Sequence, residues 1–372
     1  MLHFRLKHAL ALSLIPCLAA LSGCSVLIRP ALVPNRHVER WDVIDPNEYD
    51  IQVTETEDGS KSYHWNRSVN FDDHKQTLPY WGRKSYLNPA VVRGQLNGTT
   101  YAVIFDTGNN LGVLIEDIQI NRHDLGVFFF NSENKSASDG LAIAASLSIG
   151  PLAVENYPCS FLKYRAEHRL FGILPIHRFQ WIVMPLQVIS NFRYIEFNQI
   201  SKELHISPER PFVPPDASDW IAYPFEINKN RILIKTSIEG IETVLFLDTG
   251  ASGELELNQS LVEQLYDKRP DFRTARKKNM KVYAPYAGGE QNAKLFTAKN
   301  LRFADSCLTE VELIYKTASS QETRFPYVDI NGTIGLGLFG HTVMVLDFEK
   351  NLMWVKKAKG SPFEPRPSEL CR

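Results

Sequence analysis

VVRGQLNGTTYAVIFDTG (residues 91–108) and ILIKTSIEGIETVLFLDTG (232–250) decide how this chain folds. Each is a pair of apolar-alternating segments joined at a turn, and each ends on Asp-Thr-Gly. Alternation with a period of two marks half-buried strands, and Asn97-Gly98 is a strong short hairpin signal. Aligning Asp106 on Asp248 sets Gly98 on Gly240 and Leu96 on Ile238. A repeat of this length is too long for a solenoid unit and reads as a duplicated β domain.

Outward from these motifs the duplication continues. LFGILPIHRF (170–179) precedes FRYIEFNQISKELHI (192–206), and TIGLGLFG (333–340) precedes VMVLDFEKNLMWV (343–355). Each half is thus expected to close on an apolar, Gly-containing element followed by strand, turn and strand. Between the halves, Pro208, Pro211, Pro214 and Pro215 exclude a helix or a central strand, so 207–216 is expected to be an interlobe linker. One helix is expected, over 258–268, with Asn258 as its N-cap.

Composition sets the outer bounds. The chain has 372 residues, 44% hydrophobic and 22% charged, enough apolar material for a folded protein with two or three domains by length. The 41 basic residues are matched by 42 acidic ones, so no basic field favours nucleic acid. Five cysteines are too few for a disulfide-built scaffold, and no Cys-x-x-Cys pair occurs.

The N-terminus reads as an address. Arg5 and Lys7 precede an apolar run from Ala9 to Leu21, too short for a membrane-spanning helix. Leu21-Ser22-Gly23-Cys24 resembles the end of a bacterial lipoprotein signal. That resemblance implies lipidation of Cys24 and removal of 1–23. Ser25, rather than Asp, then implies the outer membrane, with the protein facing the periplasm. Of the remaining cysteines, Cys159, Cys307 and Cys371 allow at most one internal disulfide, and the sequence does not choose the pair. Residues 24–90 read as a tether and N-terminal extension with strand-like pieces such as 49–53. They are followed by a first lobe over 91–206, the linker, a second lobe over 217–358 and a tail over 359–372.

The chemistry sits in the two triplets. A carboxylate at the end of an apolar strand is costly to bury unless hydrogen-bonded or put to use. Thr offers a hydroxyl to nearby backbone, and Gly lets a second chain segment approach closely. Two such carboxylates brought together would share one proton and titrate as a coupled pair. Such a pair can activate a water as general base and donate a proton to a carbonyl oxygen.

Asp106-Thr107-Gly108 and Asp248-Thr249-Gly250 resemble the catalytic motifs of aspartic proteases of the pepsin and retropepsin group. The resemblance covers roughly 91–358 and takes in Leu170-Phe171-Gly172 and Ile334-Gly335, which in the family thread beside the catalytic loops. It implies an all-β, two-lobed fold with Asp106 and Asp248 as a catalytic dyad in the interlobe cleft. Thr107, Gly108, Thr249 and Gly250 would support the dyad. Tyr286-Ala287-Gly288-Gly289 would form a flap tip, with 136–140 as its counterpart in the first half. The expected activity is endopeptidase, on a peptide or protein substrate held as an added strand, with neither cofactor nor metal. Both triplets lie in one chain, so a monomer suffices to build the site. The second reading is a non-catalytic envelope lipoprotein that binds peptides or a partner in the same cleft. Two departures bear on that choice: Asn109-Asn110 follows the first triplet where the family has Ser or Ala, and Thr333 replaces an apolar residue.

Other signals are weaker. Gly335-Leu336-Gly337-Leu338-Phe339-Gly340 matches G-x-G-x-x-G but is followed by a strand-like segment, so a turn in the lobe core is expected rather than a dinucleotide site. The basic cluster over 273–281 reads as a solvated face beside the helix. No G-x-S-x-G, H-E-x-x-H or P-loop pattern occurs.

Overall fold

A computed structural model describes residues 28–34, 41–55, 61–67, 75–81, 90–130, 140–161, 164–170, 174–178, 180–274, 276–282, 289–303, 306–316 and 330–364. The fold is all-β with three short α-helices among the described residues. Both diagnostic hairpins form as read. Val91–Leu96 pairs antiparallel with Thr99–Asp106, and Arg231–Ile238 with Ile241–Asp248. The two turns share one left-handed geometry: Asn97 and Gly98 have φ of 47° and 75°, Glu239 and Gly240 of 50° and 73°. This twist matches that of the flanking strands. A Glu in this conformation is unusual, and here Arg269 and the Lys299 N–H both bind its carboxylate, at 2.9 and 2.7 Å.

The two halves repeat one sheet topology. In the first, Trp181–Pro185 runs parallel to Thr99–Asp106, and Leu114–Ile115 runs parallel to Leu152–Phe161. In the second, Gly332–Gly335 runs parallel to Ile241–Asp248, and Leu255–Leu257 to Val311–Lys316. Each half adds a hairpin to that last strand or its partner: Val127–Phe129 on Gly140–Ile149, and Arg276–Val282 on Gly289–Ala298. A six-stranded antiparallel sheet joins the halves. Tyr194–Asn198 and Glu203–Ser207 come from the first, Val343–Asp347, Leu352–Lys356 and Trp220–Pro224 from the second. One apolar core runs through both, from Val92 and Phe105 to Leu247 and Phe339.

The structure redraws two expectations and narrows one that was left open. The described residues between 41 and 81 do not behave as a tether. Trp41 is buried in the main core, Val43 bridges Val127, and Gln76–Pro79 is the edge strand of the joining sheet, paired with Glu203–Ser207. The strand expected over 49–53 is Ile51–Glu55, preceded by a 3₁₀ turn over Pro46–Tyr49 that the Asp45 side chain caps. Nor does Leu170 lie beside the loop that follows Asp106. Leu170 ends a strand paired with Ile28–Pro34 in a separate small sheet, and 171–172 lie outside the described residues. The residues beside the loop are Ile182–Pro185, with Pro185 opposite Asp106 as Gly335 is opposite Asp248. Finally, Cys159 is buried and free, and Cys307 is disulfide-bonded to a partner outside the described residues.

The helix over Gln259–Lys268 is where the capping signal put it, and Asn258 Oδ1 accepts from the Leu261 N–H at 2.9 Å. A second helix, Asp117–His123, has seven residues, too few turns for its periodicity to be legible in sequence. The basic cluster over 273–281 falls on a 3₁₀ turn and the strand Arg276–Val282; Arg273 is exposed and pairs with Asp267 at 3.2 Å. The G-x-G-x-x-G segment forms the end of a strand and a 3₁₀ turn, Leu336–Phe339. A Cβ on Gly335 or Gly337 would collide with the backbone carbonyls of Gly253 and Ser252, so these glycines let the segment press against the loop that follows Asp248.

Candidate active site

Asp106 and Asp248 are the last residues of equivalent strands, and the turns that follow meet at the junction of the lobes. The threonines cross over. The Thr107 N–H donates to Thr249 Oγ1 at 3.1 Å, and the Thr249 N–H donates to Thr107 Oγ1 at 3.0 Å. Each hydroxyl then donates across the interface, Thr107 to the Leu247 carbonyl at 2.7 Å and Thr249 to the Phe105 carbonyl at 2.5 Å. Both threonines are fully buried, and their two side chains bond the two buried threonine N–H groups and two backbone carbonyls across the junction.

This clasp fixes the carboxylates. The Gly108 N–H donates to Asp106 Oδ1 at 2.9 Å, and the Gly250 N–H donates to Asp248 Oδ1 at 2.9 Å. Ala251 N–H adds a bond to Asp248 Oδ1 at 3.1 Å. The glycines are required by close approach: a Cβ on Gly108 would lie 2.6 Å from the Asp248 carboxyl carbon, and one on Gly250 2.5 Å from that of Asp106. Each carboxylate therefore rests against the other's glycine, and the two occupy one small space. Asp106 is 5% exposed and Asp248 half-buried.

The sequence departure at Asn109 has a structural reason. Its Nδ2 donates to the Gly112 carbonyl at 2.9 Å and its Oδ1 accepts from the Leu111 N–H at 2.9 Å. The side chain is spent on closing its own loop. Thr333 is buried in the strand beside the second loop. Of the expected flap residues, Gly289 opens the strand Gly289–Ala298 opposite Val282, and Tyr286 and Gly288 lie outside the described residues. In the first half 131–139 lie outside likewise, between Phe129 and Gly140, which pair. Cys24 is also outside the described residues.

Several residues at the site carried no motif. Gly112, at φ 85°, ends the first loop against Tyr63 and Ser160. Glu254, six residues beyond Asp248, accepts from the Glu312 N–H at 2.5 Å, and burial raises its pKa above the ordinary carboxylate range. A groove of about 850 Å³ lies elsewhere, between the 207–216 linker and the joining sheet, lined among others by Tyr194, Phe212 and Trp220. None of its residues belongs to either Asp-Thr-Gly loop. Among the described residues no His, Cys, Asp or Glu cluster could hold a metal ion, and no helix is long and apolar enough to cross a membrane.

Comparison with known proteins gives little sequence-level likeness. No protein-family model matches the chain, and no curated protein matches it. Among solved structures, it is similar to a retropepsin-like aspartic protease from Rickettsia conorii. The match has 17% identity, covers 37% of this chain and 89% of that one, and has a TM-score of 0.27.

Proposed function

We propose that this chain is an aspartic endopeptidase, with Asp106 and Asp248 as its catalytic dyad. One observation carries the reading: the reciprocal threonine bonds, with each carboxylate seated against the opposite glycine. The reaction would use one carboxyl as general acid and the other as general base. A water held by both would lose a proton to the ionised carboxylate as its oxygen attacks the peptide carbonyl. The protonated carboxyl would give its proton to the carbonyl oxygen, forming a neutral gem-diol. Collapse of that intermediate breaks the C–N bond. One carboxyl protonates the leaving nitrogen, while a diol hydroxyl returns its proton to the other, so the dyad regains its starting protonation. The substrate would lie extended across the junction, held by main-chain hydrogen bonds as an added strand.

The test is cleavage of a diverse peptide pool from about pH 3 to 8, comparing wild type with Asp106→Asn and Asp248→Asn. Each variant is expected to lose about a thousandfold or more in kcat. Undiminished cleavage by either variant overturns the dyad; no cleavage by wild type at any pH leaves a peptide-binding cleft as the better reading. Asn109, bonded within its own loop, does not argue for that non-catalytic reading.

We further propose that the protein is held at the bacterial outer membrane by lipid on Cys24, facing the periplasm, as the Leu21–Cys24 motif implies. Cys24→Ala should move it from the membrane to the soluble fraction; retention in the membrane would refute the anchor.

A further inference from the structure

The hairpin of Ile51–Glu55 and Lys61–Trp65 precedes both lobes in sequence yet packs on the first. Ile51 is 1% exposed and clusters with Leu141 and Ile143. The Trp65 ring meets Tyr157 edge-on at 4.9 Å, and Tyr63 stacks on Phe130 at 6.2 Å.

Comparing the lobes shows what this hairpin supplies. Leu114 and Glu256 each stand eight residues beyond their catalytic Asp, and each pairs with the strand beside it, at Val183 and Thr333. Their parallel partners on the other side are Ser160 and Ile314, so these two residues occupy equivalent places. In the second lobe Ile314 reaches the catalytic loop: a Cβ on Gly253, five residues beyond Asp248, would lie 3.0 Å from its Cδ1. In the first lobe the residue there is a serine, far too small to fill the same space. Its hydroxyl donates to the carbonyl of Leu111, the residue five beyond Asp106. Tyr63 packs beside it: its hydroxyl lies 3.5 Å from Ser160 Oγ and where it would collide with a Cβ on Gly112. From there bonds run back to the dyad: Gly112 and Leu111 to the Asn109 side chain, and the Asn109 N–H to the Asp106 carbonyl at 3.2 Å.

We propose that the 51–65 hairpin is a permanent part of the first catalytic lobe, and that Tyr63 is a positioning residue bracing the 109–112 loop as Ile314 braces the equivalent loop of the second lobe. The catalytic half of this proposal rests on the proteolytic reading; the structural half does not. An N-terminal extension on a protease can instead be an inhibitory segment whose loosening raises activity, so the two roles predict opposite signs. Burial also raises the Tyr63 pKa, keeping the hydroxyl a donor at any working pH.

The experiment places Tyr63→Ala and Tyr63→Phe in the full chain and measures kcat, KM and amide exchange in both loops. Tyr63→Ala should speed exchange at 109–113 but not at 251–255, and lower kcat about tenfold while KM changes less than about twofold. Tyr63→Phe keeps the ring and should restore most of both. If Tyr63→Ala does not fold, Tyr63→Leu is read the same way. Unchanged exchange at 109–113 overturns the brace, and a rise in kcat overturns it in favour of an inhibitory segment. If exchange responds locally but wild type cleaves nothing, the brace stands and the proteolytic reading falls.

Discussion

At the scale of single residues, the site depends on atoms that cannot be enlarged or removed. Gly108→Ala or Gly250→Ala should abolish hydrolysis, since the added methyl would overlap the opposite carboxylate. The check is kcat together with the melting temperature, which should also fall. Thr107→Val and Thr249→Val keep shape but lose two cross-lobe bonds each. Each should destabilise the protein by about 1–3 kcal/mol, because buried backbone groups are left unpaired. Denaturant unfolding of the singles and the double measures this, and any departure of the double from the sum gives the coupling between the two threonines. Glu254 gives a pH test. A carboxyl with a raised folded pKa is fully stabilising below its unfolded value, about 4.3, and that contribution is lost as pH rises toward the folded value. Glu254→Gln should therefore match wild type in stability near pH 4 and exceed it near pH 7. Thermal melts across this range would refute the assignment if the two curves stay parallel. At this scale the sequence was most legible: both aspartates, threonines and glycines were named from the triplets, whereas Tyr63, Ser160 and Gly112 carry no motif and meet only in three dimensions.

At the scale of elements, local chemistry is a good guide where it is strong. Asn97-Gly98 and Glu239-Gly240 turn as their composition requires, and Asn258 caps its helix. Asn258→Ala should cost about 1 kcal/mol, measured by chemical denaturation, since it also loses the Ile330 carbonyl at 2.7 Å. Local chemistry misleads where two segments look alike. Leu170-Phe171-Gly172 resembles the glycine-bearing element of the second half, but Ile182–Pro185 takes the place beside the loop. No glycine marks it, because a proline stands where the second half has Gly335. From Ser160 to Pro185 the first half is also four residues longer than the second from Ile314 to Gly335, across a stretch that includes the strands Tyr164–Leu170 and Leu174–Arg178.

At the scale of the molecule, two duplicated halves are welded rather than merely linked. The joining sheet pairs Tyr194–Asn198 directly with Val343–Asp347, and the core is continuous across it. Thermal unfolding monitored by calorimetry should give one transition; two resolved transitions would mean that the lobes are independent. Because one chain carries both triplets, specific activity should not fall on dilution across a hundredfold range of protein concentration. A loss on dilution would point to a site completed by a second chain.

The sequence by itself determined the duplication, the all-β class and the candidate dyad. These rest on period-two alternation, turn chemistry and a repeated triplet, all of them local signals within about twenty residues. Tertiary structure alone decided that the described residues between 41 and 81 belong to the folded body, which strand lies beside Asp106, and what packs beside Ser160. Such choices depend on complementary volumes and unpaired sheet edges contributed by segments far apart in the chain, and no local pattern encodes those.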